Sequence, residues 1–208
     1  MAPSASLMDL MRAIVADDAK AVSRLLEASP ELAVTALDEG ATRQGTKGYW
    51  FAEIGHYVYK GDTALHVAAA AYRNAIARKL VDAGADVGAR NRRGAEPLHY
   101  AADGGPGSPS WDPRAQAATI AVLIAAGADP DAIDNSGVAP LHRAVRTRCA
   151  GAVQALLDGG ADISRKNKSG STPMRLATLT TGRGGSGLAE AKAQQAEIVR
   201  LLESRGAR

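Results

Sequence analysis

Four histidines, one cysteine and a cluster of aromatic residues are the groups in this 208-residue chain that could do chemistry. His56 stands apart from the other three histidines, which recur inside a repeated phrase. With Glu53 three residues before it and Tyr57 and Tyr59 close by, it has the neighbours of a general acid or base. A lone histidine in an aromatic loop is more often a hydrogen-bonded packing residue. Glu53 and His56 are therefore weak candidates, and no catalytic residue is assigned. Cys149 has Arg146 and Arg148 beside it, and cationic neighbours lower a thiol's pKa. It has no recognisable partner base, which favours an ordinary thiol. The glycines of TGRGGSG (181–187) suggest a phosphate cradle. The Lys-Ser/Thr pair of a nucleotide-binding loop is missing and no strand precedes the stretch, so a flexible connector is the simpler reading. Anion binding by its amides and Arg183 is the alternative. There is no Cys pair, HExxH or EF-hand loop, so neither a metal nor a cofactor is expected.

The densest stretch is GYWFAEIGHYVY (48–59), which holds five of the chain's eight aromatic residues. Tyr57 and Tyr59 alternate with His56 and Val58, a strand-like period. The pattern predicts a hairpin with arms 50–54 and 56–60 turning near Gly55. Two readings follow. Either the rings fold back into a local mini-core, or some face outward as anchors, a use for which Tyr and Trp are suited.

The elements that must place these groups repeat themselves. GDTALHVAAAA (61–71), GAEPLHYAADG (94–104), GVAPLHRAVRT (137–147) and GSTPMRLATLT (170–180) are variants of one phrase. A second phrase keeps step: AGADV (83–87), AGADP (126–130) and GGADI (159–163). The motif position falls at His66, His99, His142 and Arg175, spaced 33, 43 and 33 residues. A fixed period of this size means a solenoid. Within each phrase a glycine suits the turn, a proline suits the first helical position, and Leu65, Leu98, Leu141 and Met174 begin the buried face. A second apolar stripe follows at i, i+3, i+4 spacing, as in Ile120, Leu123 and Ile124. Gly84, Gly127, Gly160 and Gly206 then supply C-caps.

The chain resembles ankyrin-repeat proteins, whose unit is a turn plus two helices carrying a T-P-L-H-x-A phrase. No copy is perfect: Ala64 replaces Pro, Glu96 and Ala139 replace Thr, and Arg175 replaces His. The resemblance implies an all-α solenoid of five stacked helix–turn–helix repeats with β-hairpin-like fingers. The boundaries are 6–32 (an N-terminal cap), 61–89, 94–132, 137–164 and 170–206 (a C-terminal cap), with a finger insertion at 33–60. It also implies that the motif histidines bond to the backbone of neighbouring turns.

Two further insertions break the period, one within 103–116 and one around 180–191. Both fall between the two helices of a repeat, on the edge opposite the fingers. Loops of this kind carry function more often than scaffold does.

The charge is mildly polar along the chain. Residues 1–60 hold eight acids and six bases, and residues 61–208 hold 14 acids and 19 bases. A basic groove favours an acidic protein partner, and nothing points to nucleic acid. A single cysteine and the lack of a signal peptide or long apolar run predict a cytoplasmic protein with no membrane span. The Ala, Gly and Arg content resembles proteins of GC-rich bacteria. By analogy with the family, the expected function is a protein-interaction scaffold that binds a partner through its concave groove and the aromatic finger 49–59. Its candidate binding residues are Tyr49, Trp50, Phe51, His56, Tyr57, Tyr59, Tyr72, Arg92 and Arg143. The alternative is a small-ligand-binding or catalytic protein whose aromatic finger closes a pocket with Glu53, His56, Tyr57 and Tyr59.

Overall fold

Each repeated phrase opens a helix. A computed structural model describes residues 6–179 and 187–207 of the chain. The glycine-rich turn with Arg183 lies outside them, apart from Gly187. Helices come in consecutive pairs: α1 (Leu7–Val15) and α2 (Ala19–Ala28), α3 (Ala64–Ala70) and α4 (Asn74–Asp82), α5 (Pro97–Ala101) and α6 (Pro113–Ala125), α7 (Pro140–Thr147) and α8 (Ala150–Asp158), α9 (Pro173–Thr178) and α10 (Ala189–Ser204). A hairpin, β1 (Trp50–Phe51) and β2 (His56–Tyr57), stands between the first two pairs.

The helix starts follow local chemistry. Ser6 Oγ accepts from the Asp9 amide at 3.2 Å while Asp9 reaches back to the Ser6 amide, a reciprocal cap for α1. Pro97, Pro140 and Pro173 open α5, α7 and α9, where a missing N–H costs nothing. The turn glycines before these helices all have positive φ.

First helices pack in one row, α1–α3–α5–α7–α9, and α4, α6, α8 and α10 form a second row behind it. Leu65, Leu98 and Leu141 are buried in the seam, and Ala68, Ala101, Ala144 and Ala177 are small enough to let the first row close up. Cutting one such leucine to alanine costs about 2–5 kcal/mol.

The three motif histidines tie neighbouring repeats together. His66 Nδ1 accepts from the Thr63 amide (3.1 Å), and Nε2 donates to the Ala95 carbonyl one repeat on (3.1 Å). His99 does the same between Glu96 and Val138, and His142 between Ala139 and Arg165. Because a backbone N–H points at each Nδ1, the rings are neutral with the proton on Nε2. Burial pushes all three below the usual histidine pKa, His99 to about 4.

The finger turns share a second device. The Oδ1 atoms of Asn91, Asp134 and Asn167 each accept from the amides two and four residues ahead. Neighbouring fingers then bond to each other, Arg92 N to Lys60 O and Asn135 N to Arg93 O, both at 2.9 Å.

The finger insertion is braced on both flanks. Leu37 exchanges backbone bonds with Gly61 and Asp62 at 2.8 Å, and Val58 bonds to both Ala41 and Tyr49. Trp50 faces Tyr57 and Phe51 faces His56 across the hairpin. The pairing is shorter than the predicted arms. Residues 52–55 are spent on the turn, where Gly55 sits at φ +59°, and beyond Tyr57 the chain turns to pair with residues 41 and 49.

Candidate functional site

The finger divides its aromatic residues between anchoring and display. Phe51 and Val58 are buried in the same core as the first helices. Trp50 is 44% exposed and packs against Tyr57 with ring centroids 4.5 Å apart and planes tilted by 48°. Tyr49 is half-buried, and its hydroxyl donates to Glu39 at 3.3 Å. The Arg93 guanidinium lies 4.2 Å from the centre of the Tyr59 ring and that of Arg92 5.2 Å. Arg92 also donates to the Ala41 carbonyl at 2.5 Å. Each cation–π contact is worth about 0.5–2 kcal/mol. Tyr59 and the two arginines thus fix the finger to its neighbour.

His56 points the other way. Its ring meets Tyr100 of α5 edge-on at 4.5 Å. Tyr100 in turn touches His66 at 5.2 Å, donates to Asp62 Oδ2 at 3.1 Å and accepts from Asn91 Nδ2 at 2.9 Å. Burial lowers the His56 pKa, with Asp103 and Asp62 opposing it only in part, so the ring is neutral at pH 7. Its Nε2 is shielded from solvent and has no hydrogen-bond partner among the described residues. An unsatisfied buried nitrogen of this kind costs about 1–3 kcal/mol.

A cleft of about 240 Å³ adjoins it. Ile54, Gly55 and His56 reach it from the finger, and Ser108 and Ser110 from the second insertion. The second insertion leaves its repeat on the edge opposite the fingers, yet the long finger crosses the first helices to meet it. Glu53 is exposed in the hairpin turn and does not line the cleft. Tyr57 is engaged with Trp50 and Tyr59 with the arginines. Of the four polar residues considered for a pocket, only His56 lines this one.

The second insertion is a strap drawn tight. Gly104 (φ +96°) lies against the Tyr72 hydroxyl, and Gly105 against the Thr147 carbonyl; a Cβ on either would collide. Tyr72, itself buried at φ +55°, donates to the Asp103 carbonyl. Gln116 is fully buried beneath the strap. Its Nε2 donates to the Ala101 and Asp103 carbonyls, both at 2.9 Å. Its Oε1 accepts from Trp111 Nε1 at 2.9 Å and from Cys149 Sγ at 2.8 Å. All four bonding sites of the amide are used. Cys149 is thereby a buried neutral thiol. Burial raises its pKa, the reverse of what its arginine neighbours suggest in the sequence.

Arg143 is 15% exposed on α7 and bridges Asp103 (2.6 Å) and Asp134 (2.8 Å). It borders a second cleft of about 290 Å³, together with Arg93 and Arg146. Gln116, Trp111 and Tyr100 are site residues that sequence reasoning missed. One signal was there for Tyr100: its position in the phrase holds Val67, Arg143 and Leu176 in the other copies, so an aromatic residue is out of register with the scaffold.

Residues 60–92 match the family model for the ankyrin repeat, and residues 123–177 match the one for ankyrin repeats in many copies. Over these two stretches the chain carries ankyrin repeats. Both matched stretches avoid the finger hairpin and the strap, so what is particular to this ankyrin-repeat protein lies in its insertions. No curated protein matches the chain. Ankyrin repeats are in general protein–protein interaction modules. Among the described residues no helix is long and apolar enough to cross a membrane, and no three His, Cys, Asp or Glu side chains are grouped to hold a metal.

Proposed function

We propose that this ankyrin-repeat protein is an interaction scaffold that grips a partner with the outer face of its aromatic finger. The five helix pairs are read as five repeats, the first and last serving as caps. The observation that carries the reading is the Trp50–Tyr57 pair: two rings in tilted contact, one of them 44% exposed, on a hairpin whose own anchors are buried in the core. Such a platform is held in place before binding, so little side-chain entropy is lost when a partner docks. Arg90, Arg92 and Arg93 on one finger and Arg165, Lys166 and Lys168 on another make the plain fingers basic. The partner surface is accordingly acidic around an apolar centre. A single buried cysteine suits a reducing compartment, and we place the protein in the cytoplasm.

The test is quantitative capture from the source cell by wild type and a Trp50→Ala/Tyr57→Ala variant matched for urea midpoint. Tyr59 is left intact because it holds Arg92 and Arg93. Truncating two central aromatic anchors should weaken the captured complex by at least about 30-fold, the equivalent of 2 kcal/mol. An undiminished complex would remove the finger from the interface.

A further inference from the structure

The smaller cleft under the finger tip has its own chemistry. Ile54 and His56 come to it from the finger, Ser108 and Ser110 from the strap, and Tyr72 and Tyr100 from the repeats. Two insertions that leave the scaffold on opposite edges thus enclose one space.

Its size and lining restrict what can enter. At about 240 Å³ it falls below the usual ~300–1,000 Å³ of pockets for drug-sized molecules, which leaves room for one ring and a small substituent. The tyrosine rings and Ile54 offer apolar and aromatic contact. Ser108 and Ser110 share one hydrogen bond of 3.1 Å, which leaves both hydroxyls further bonding capacity. His56 contributes its imidazole ring to the wall. Asp103 also borders the space, but its carboxylate is held by Arg143 at 2.6 Å. Among the described residues no unpaired charge lines the cleft to offset the desolvation of an ionic ligand.

We propose that this cleft binds a small uncharged aromatic compound bearing an amide or hydroxyl group. The site is separate from the Trp50–Tyr57 face, so its occupancy does not depend on the partner reading.

The test uses the full chain, labelled with ¹⁵N and titrated with benzamide and phenol, and with their charged counterparts benzoate and benzylammonium. A single ring with few polar contacts should bind with a Kd of about 1 mM. Benzamide or phenol should shift the amides of Gly55, His56, Ser108 and Ser110 together, with the charged pair at least ten-fold weaker. Ala70 also lines the cleft, so Ala70→Leu, which fills it, should abolish those shifts. His56→Phe keeps the edge contact with Tyr100 and should weaken benzamide at least three-fold; it also serves if Ala70→Leu proves unfolded by its spectrum. The proposal is overturned by no shifts with any of the four compounds at 10 mM. Equal binding of charged and neutral probes, or full binding to both variants, would overturn it as well.

Discussion

Acidification should loosen the solenoid through His99 as the pH falls from 6.5 towards 4. In the folded chain Nδ1 of this ring accepts the Glu96 amide at 3.1 Å and Nε2 donates to the Val138 carbonyl at 3.0 Å. A second proton can go only on Nδ1, where it would face another donor. Burial and the Arg143 guanidinium both oppose the charge, against partial support from Asp134 and Asp103, and the folded pKa falls from 6.5 to about 4. A depressed pKa means that the ring's contribution is complete above pH 6.5 and is lost as pH falls from 6.5 towards 4. At pH 5 the unfolded chain carries the proton and the folded chain mostly does not. The difference of about 1.5 pH units corresponds to about 2 kcal/mol.

His66 and His142 shift in the same direction and add to the loss, whereas Glu96, raised by burial, offsets part of it. Asp134, whose burial is outweighed by its bonds to Arg143 and to backbone amides, is held below the ordinary carboxylate range and stays ionised over this window. The assay is urea unfolding at pH 7.5, 6.5, 5.5 and 5.0 for wild type and His99→Gln. The variant is less stable at pH 7.5, yet its loss between pH 7.5 and 5.0 is smaller than that of wild type by about 2 kcal/mol. Equal losses in the two proteins would refute the reasoning. So would a native His99 ring that titrates near 6.5 by NMR.

Three further outcomes follow from the strap and its neighbours. Arg143→Met leaves Asp134 buried without its cation and should cost about 2–4 kcal/mol, discounted for the partial exposure of Asp103; adding Asp134→Asn should restore part of that in the same urea assay. Gln116→Leu strands Trp111 Nε1 and two carbonyls, so it should destabilise by about 2–3 kcal/mol, shift Trp111 fluorescence to the red and speed alkylation of Cys149. Gly104→Ala places a Cβ against the Tyr72 hydroxyl at a left-handed φ and should lower stability by about 1–3 kcal/mol, with amide exchange rising first across 103–112.

The repeat scaffold was legible because its rules are local. Gly94 before Pro97, Leu98 on the buried face and His99 one step later are each required by a turn, a first helical position or a seam, and each recurs. The finger could be read as aromatic and hairpin-forming for the same reason. Its inward half could not. His56 meets Tyr100 from 44 residues away, and Gln116 meets Cys149 from 33 away. Such contacts depend on how far a braced loop reaches across a stack, which periodicity does not encode. Cys149 shows the limit most plainly. Its sequence neighbours are arginines that would lower its pKa, but burial against a glutamine dominates and raises it.

The hairpin is only two residue pairs long, and a lone hairpin of that size is not stable in water. What holds Trp50 and Tyr57 in place is therefore not the strand pairing but Phe51 and Val58 in the core, Tyr59 under two arginines, and His56 against α5. Tyr59 rests on the finger between the second and third repeats and His56 on α5 of the third. The rigidity of the displayed rings is inherited from the α3–α5 seam, and through Arg143 and Asp103 from α7 as well. A substitution that loosens that seam should blunt the finger without touching it, whereas one at the far end of the stack, in α10, should not. The same dependence explains why the insertions and the scaffold cannot be separated functionally. The repeats supply a stiff frame, and the strap and finger turn that frame into two faces, one outward and aromatic, the other a small cleft between them.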